Sequence, residues 1–254
     1  MRIEVDATPL LLRSAGVKNY TYHWIRHLRA AARPGDAVSA FPFLGDLGSL
    51  NHDGSNIGRF GTLARIATLL TVNRVPLIDL VTTGAQVFHA SNQVRKPPGR
   101  TPLTATVHDL TCWLMPELHT AANVRADQNF ADRILRRARG LIAVSENTRQ
   151  DAIRVLKCKP ERIRTIHSGI SDAFFDAPAT KRRKPYILFV GTIEPRKNLD
   201  TLLDAYEGLR KDLREAYDLV VAGPAGWSSE RTMARLTGGR PRTDCAPKLF
   251  SGLA

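Results

Sequence analysis

Apolar positions along the chain alternate between two spacings. Residues 3–6 form a short run that reads as strand, followed by a loop through Pro9 and Gly16. Val17, Tyr20, Thr21, Trp24, Ile25 and Leu28 then recur at i, i+3, i+4, i+7, i+8 and i+11, one face of an α-helix that Pro34-Gly35 ends. Residues 38–43 read as strand and the Gly/Asn/Asp/Ser-rich stretch 45–58 as loop. Phe60, Leu63, Ala64, Ala67 and Leu70 restore the helical period. Runs at 86–90, 104–107, 141–144 and 164–167 have the character of buried parallel strands, with helical patterns at 121–138 and 146–156 between them. Repeated strand–helix alternation predicts an α/β fold built on a doubly wound parallel sheet.

The grammar lapses over residues 176–185, which hold two prolines and a basic run. It restarts with a strand at 186–190, a helix at 198–209, a strand at 218–222 and a short helix near 229–236. These breaks predict a first domain over 1–178, a linker over 179–185 and a second domain over 186–254. Two strands make too small a parallel sheet to bury both faces, so the second domain is expected to be incomplete. A shifted reading frame or a premature stop would give such an end.

Composition narrows the class. With 254 residues, 43% hydrophobic and 24% charged, the chain matches one large or two smaller globular domains rather than a disordered or collagen-like one. The three cysteines, Cys112, Cys158 and Cys245, are scattered and form no CxxC pair, which argues against a disulfide scaffold or a clustered zinc site. The N-terminus is charged from Arg2 and lacks an apolar signal core, so a reducing cytoplasm is the default. Charge changes the picture more. The 37 Lys+Arg against 24 Asp+Glu give +13, and residues 1–184 hold 27 basic and 15 acidic side chains. Such a field attracts anions, whether phosphorylated metabolites, acidic lipid or nucleic acid.

Ligands of open α/β sheets sit beyond the carboxyl ends of the strands. The residues there are His108-Asp109, Ser145-Glu146, Ser168-Gly169, and Gly191 followed by Thr192-Ile193-Glu194-Pro195-Arg196-Lys197-Asn198. Glycine lets a backbone approach a ligand closely, and a helix start flanked by Arg196 and Lys197 suits phosphate oxygens. A solvated basic turn fits that spacing equally well. His108-Asp109 reads as a general acid/base, a hydroxyl-binding pair or a stabilising hydrogen bond, and a lone histidine at a strand end, like His89 or His167, is more often structural. Ser145 reads as a helix cap. Neither GxGxxG nor GxxxxGK[ST] is present, and no metal site is expected. Glu207 and Glu215 lie among alternating Glu and Arg and read as solvated charges.

Taken together, Ala15-Gly16-Val17-Lys18-Asn19-Tyr20, Val107-His108-Asp109-Leu110, Ala143-Val144-Ser145-Glu146-Asn147-Thr148, Ile166-His167-Ser168-Gly169-Ile170, the stretch from Tyr186 to Leu199, and Val220-Val221-Ala222-Gly223-Pro224 resemble glycosyltransferase family 4, of GT-B architecture. The resemblance implies two Rossmann-like domains facing each other across a cleft. It implies transfer of a hexosyl group from a nucleotide-diphosphate sugar to a glycan or lipid-linked acceptor, with retained configuration, no metal, and no cofactor beyond the sugar donor as co-substrate. On this likeness His108 is catalytic, near the transferred sugar, and Gly16, Asp109, Ser145 and Glu146 bind substrate. Gly191, Arg196 and Lys197 hold the donor diphosphate. Lys18 stands where the family often has a second glycine, and Thr192 where many members have arginine.

The competing reading is a catalytically inactive fragment that at most binds glycan, nucleotide or an anionic surface. A nucleic-acid module would need a basic helix or an aromatic-interleaved stripe, so no nucleic-acid partner is expected. The helix around 121–138, with Arg125, Arg133, Arg136 and Arg137 beside Val124, Ile134 and Leu135 and with Arg139 following, marks a peripheral contact with anionic membrane on its inner face. A core-packing helix with a wet basic face is the plainer alternative.

Overall fold

The computed structural model describes residues 1–13, 16–43, 45–75, 77–82, 84–91, 94, 96–170, 173–176 and 184–238, in two compact units, Met1–Gly169 and Ile170–Ala254. Most of the expected linker and the chain beyond residue 238 lie outside the described residues. Unit 1 runs β1 (Arg2–Asp6), α1 (Gly16–Ala30), β2 (Ala37–Phe41), α2 (Arg59–Arg74), α3 (Ile78–Val81), β3 (Val87–Ala90), β4 (Leu103–Val107), α4 (Thr111–Leu114), α5 (Ala121–Phe130), β5 (Gly140–Ala143), α6 (Glu146–Leu156) and β6 (Ile163–Thr165). All six strands are parallel, in the order β2-β1-β3-β4-β5-β6. This is the doubly wound sheet the alternation predicts.

Strand order turns back at β1, which pairs with β2 on one side and β3 on the other. Crossovers on the two sides leave the sheet in opposite directions there and open a crevice at the strand ends. Alternation along β4 sorts its side chains. Leu103, Ala105 and Val107 join a core cluster with Phe88 and Ile134, while Thr104 and Thr106 reach His89 on the other face. Trp24 of α1 lies over His89 on that same face.

Local departures from the sequence reading have physical reasons. The helical pattern at 121–138 is α5 continued by one wide π-turn, Ala131–Leu135, in which the Arg136 N–H bonds the Ala131 carbonyl. That turn sends both Ile134 and Leu135 into the core. β6 begins earlier than predicted because Ile163 is the residue that packs, whereas Ile166 is exposed. The periodic stripe that announces α2 faces outward, and Ile66, Leu69 and Val72 pack in its place.

Unit 2 contains α7 (Ala173–Asp176), β7 (Tyr186–Val190), α8 (Leu199–Glu207), α9 (Lys211–Ala216), β8 (Asp218–Ala222) and α10 (Glu230–Gly238). The helix expected over 198–209 is shorter and is preceded by a 3-10 turn, Pro195–Lys197, with Asn198 left-handed at φ 51°. β7 and β8 pair in parallel, and Leu219 and Val221 pack with Leu199, Leu203 and Leu236 on one face. β7 otherwise turns Tyr186, Leu188 and Val190 to solvent. Glu207 and Glu215 are both exposed, the first beside Arg235 and the second beside Lys211.

The strand ends of unit 2 meet backbone to backbone. Gly223, at φ +151°, lies so close to Gly191 that a Cβ there would stand 1.9 Å from the Gly191 carbonyl oxygen. Gly223→Ala should therefore destabilise unit 2 by about 2 kcal/mol or more. Hydrogen exchange should show β7 and β8 opening faster while the sheet of unit 1 keeps its protection. Unchanged exchange in β7 would refute this account of the contact.

Candidate functional site

The β1/β3 crevice of unit 1 holds a cavity of about 220 Å3, walled by α1, the ends of β1, β3 and β4, and part of α5. At its base Asp6 ends β1 with its carboxylate fully buried. Oδ1 accepts the Thr8 N–H at 3.0 Å and the Thr8 hydroxyl at 2.5 Å. Oδ2 accepts the Ser91 N–H at 3.2 Å and the Ser91 hydroxyl. Burial raises the Asp6 pKa, opposed by those bonds from Ser91 and Thr8.

Next to it His89 is locked. Its Nδ1 lies 2.9 Å from Thr104 Oγ1 and its Nε2 3.1 Å from Thr106 Oγ1, which also lies 3.0 Å from the Tyr20 hydroxyl. Burial, with repulsion from His108 added, pulls the His89 pKa to about 3. His89 is a structural histidine, as its spacing suggests.

His108 differs. Its ring meets Tyr20 edge-to-face at 4.8 Å, and its nitrogens make no hydrogen bond among the described residues. Burial lowers its pKa and Asp109 opposes the shift, so the ring is neutral at pH 7. Asp109 spends Oδ1 on the Thr111 N–H and hydroxyl, at 3.0 and 2.7 Å, in the turn that leads into α4. Facing them from α5 is Asp127, whose pKa burial raises, with the Cys112 thiol bonding it and Asp109 repelling it.

The cavity wall thus contains His108 and Asp109 but not the other expected substrate residues. Gly16 opens α1 next to the wall residue Val17, with open space where a side chain would be. Ser145 caps α6, accepting the Thr148 N–H at 3.1 Å, and Thr148 donates to the His108 carbonyl at 3.3 Å. Glu146 is exposed and accepts from Thr165, Gln150 and Arg149. Sequence reasoning missed Asp6, Tyr20, Trp24, Ser91 and Asp127 as wall residues. The strand-end rule that picked out His108 would have found Asp6 and Ser91, while Asp127 lies on a helix and gives no such signal.

Lys18, which stands where the family often has a second glycine, is fully buried. Its ammonium donates to the Leu12 carbonyl at 2.8 Å and to the Gly54 carbonyl. Burial lowers its pKa to about 8. His23 and His27 form an i,i+4 pair on α1, a spacing the sequence reading passed over, with ring centroids 6.4 Å apart. No group of three or more ligand-type side chains among the described residues could hold a metal ion.

In unit 2, Gly191 directly follows β7. Arg196 forms an ion pair with the buried Glu194 at 2.6 Å, and its buried Nε has no hydrogen-bond partner among the described residues. Lys197 is exposed. The first turn of α8 already carries a carboxylate, Asp200, bonded by Thr232 and Arg235.

A doubly wound unit with its cavity at the switch point defines a Rossmann-like ligand-binding protein. The sequence model of glycosyltransferase family 4 matches residues 14–174 and that of glycosyl transferases group 1 matches residues 171–240, so the chain belongs to glycosyltransferase family 4. The O-antigen chain mannosyltransferase B of Escherichia coli is 30% identical over 135 residues, 49% of this chain and 35% of that protein. The serotype-specific mannosyltransferase WbdA of Escherichia coli is 25% identical over 186 residues, 66% of this chain and 22% of that protein. Sucrose-phosphate synthase from Thermosynechococcus elongatus is similar in fold, at a TM-score of 0.57 and 17% identity, over 94% of this chain and 66% of that one. The fold class is GT-B-like. The chain spans about a third or less of the length of these mannosyltransferases.

Because the unfolded chain takes up the His89 proton near pH 6.5 and the folded chain only near 3, stability is lost as pH falls between those values. The slope should approach about 1.4 kcal/mol per pH unit. Urea unfolding at about pH 7 and about pH 5 should show this slope, and His89→Gln should flatten it. Equal slopes would place the proton uptake elsewhere.

Proposed function

We propose that the chain acts in transferring a hexosyl group from a nucleotide-diphosphate sugar to a glycan or lipid-linked acceptor, with retained configuration and without a metal. The observation that carries this reading is His108, an unbonded, neutral imidazole in a strand-end cavity that also holds the carboxylates of Asp109 and Asp127. Sugars present rings of hydroxyls, and this wall offers both kinds of partner. A neutral imidazole donates at one nitrogen and accepts at the other, and Asp109 and Asp127 accept hydroxyl protons. The aromatic rings of Tyr20 and Trp24 supply apolar faces for the C–H side of a pyranose. Mannose is the first sugar to test, since the relatives are named as mannosyltransferases.

Departure of a nucleoside diphosphate leaves growing negative charge that cations stabilise. In unit 2 the exposed Lys197 ammonium and the partly exposed Arg196 guanidinium are the cations for it, a few residues after Gly191. A second reading, binding without transfer, is favoured by the carboxylates already beside these groups, Glu194 on Arg196 and Asp200 in the first turn of α8.

Release of nucleoside diphosphate from a panel of nucleotide-diphosphate hexoses, mannose donors first, decides between them. Turnover should fall about 100-fold or more in His108→Ala. Lys197→Ala should weaken donor binding, and the wild-type affinity should fall as salt rises. Donor binding with no turnover selects the second reading, and full turnover in His108→Ala removes His108 from the chemistry.

A further inference from the structure

We propose that the cavity of unit 1 seats an uncharged sugar residue at the end of the acceptor and turns away sugar phosphates and uronic acids. Such selection presupposes the reading of this cavity as a sugar site. It follows from a mismatch between the chain and the cavity wall. The chain carries +13, and residues 1–184 hold 27 basic side chains against 15 acidic ones. Yet no lysine or arginine lines the cavity among the described residues. The Asp and Glu side chains that do line it are Asp6, Asp109 and Asp127. Asp6 is sealed by Thr8 and Ser91, so discrimination falls to the other two.

An anion placed beside Asp109 and Asp127 loses hydration and meets like charge, and no described cation in the wall offsets either cost. The wall already shows this repulsion. Burial first, and the Asp109 charge after it, push the Asp127 pKa up. A sugar hydroxyl meets neither cost. It donates to a carboxylate oxygen, and it exchanges a hydrogen bond with the neutral His108 ring in either direction. Tyr20, Trp24 and Trp113 add apolar ring faces. The cavity, at about 220 Å3, is smaller than the roughly 300–1,000 Å3 of pockets for drug-sized ligands, so it holds one sugar residue rather than a chain. The cations offered to a nucleoside diphosphate, Arg196 and Lys197, belong to unit 2. Attraction and selection are therefore separate in unit 1: its basic surface draws anions near, and the cavity wall refuses them.

A sugar phosphate can also bind the basic surface or unit 2, so the test reads binding at the cavity itself. The His108 ring proton between the two nitrogens, assigned by its disappearance in His108→Gln, is followed by NMR at neutral pH. The full chain is titrated with the methyl glycosides of mannose, glucose, galactose and N-acetylglucosamine, then with the corresponding sugar phosphates and glucuronate. At least one neutral glycoside should move the signal, and its phosphate should do so with an affinity about tenfold or more weaker. Asp127→Asn keeps the shape, removes the charge, and should narrow that gap about threefold or more. The wild-type comparison does not depend on this variant folding. A phosphate that moves the signal as readily as its neutral parent overturns the proposal, as does a signal that no neutral glycoside moves. An unchanged gap in folded Asp127→Asn overturns it too. Tighter binding of glucosamine than of glucose would assign the wall to a cationic sugar, with the same result. Selective binding without any release of nucleoside diphosphate would remove the transfer reading and leave this one standing. Transfer to an anionic sugar seated in the cavity would do the reverse.

Discussion

The Asp6 carboxylate is the constraint on which the rest of unit 1 depends. It is sealed at the point where the sheet reverses direction, and its four hydrogen bonds reach the chain just after β1 and just after β3. Parallel pairing sets β1 beside β3 but leaves open how the two chains depart. The carboxylate closes that freedom, because each lone pair must find a donor once water is gone. The departure of both strand ends is thereby fixed, and the cavity floor with it. His89 then fills the neighbouring position as a neutral ring, and the threonines of β4 hold it on both edges. His108, in the same wall, has no hydrogen bond at its ring nitrogens among the described residues.

The two units handle their strand ends differently. In unit 1 the ends diverge around space. In unit 2 they converge until Gly223 touches Gly191, so its loops run tightly over the strand ends and expose cations outward. The tight approach leaves no room for a buried polar wall like that of unit 1. The cations that follow β7 already have carboxylates close by, Glu194 on Arg196 and Asp200 in the first turn of α8.

The sequence made the sheet legible because its strands are short segments of apolar or alternating residues set between helical patterns, and five of the six in unit 1 stand out on that ground. β6 slipped because Ile163 and Ile166 are equally apolar in sequence and only packing distinguishes them. α2 shows the limit more sharply. Period 3.6 establishes that a helix forms, but two apolar faces satisfy it equally well, and burial of one is a tertiary fact. For the site, strand-end position was enough to locate His108 and Asp109. Ser145 reads in sequence as the cap of α6 and is that cap, whereas strand-end position gives no sign that Glu146 is taken up by Thr165, Gln150 and Arg149. Asp127 and Lys18 escaped because a charged residue on a helix is by default solvated, and neither is.

Lys18 also limits how this region can change over generations. Its single ammonium chelates two carbonyls that are 42 residues apart in sequence, Leu12 and Gly54. An amine can do this because it is compact, rotates its three donors freely, and at a pKa near 8 can give up its charge in a sealed space. A guanidinium is broad, flat and permanently charged, so the exchange usually counted as the mildest among cations is closed at this position. Drift at codon 18 would meet a wall on the arginine side, while Lys197, out in solvent, could make the same change freely.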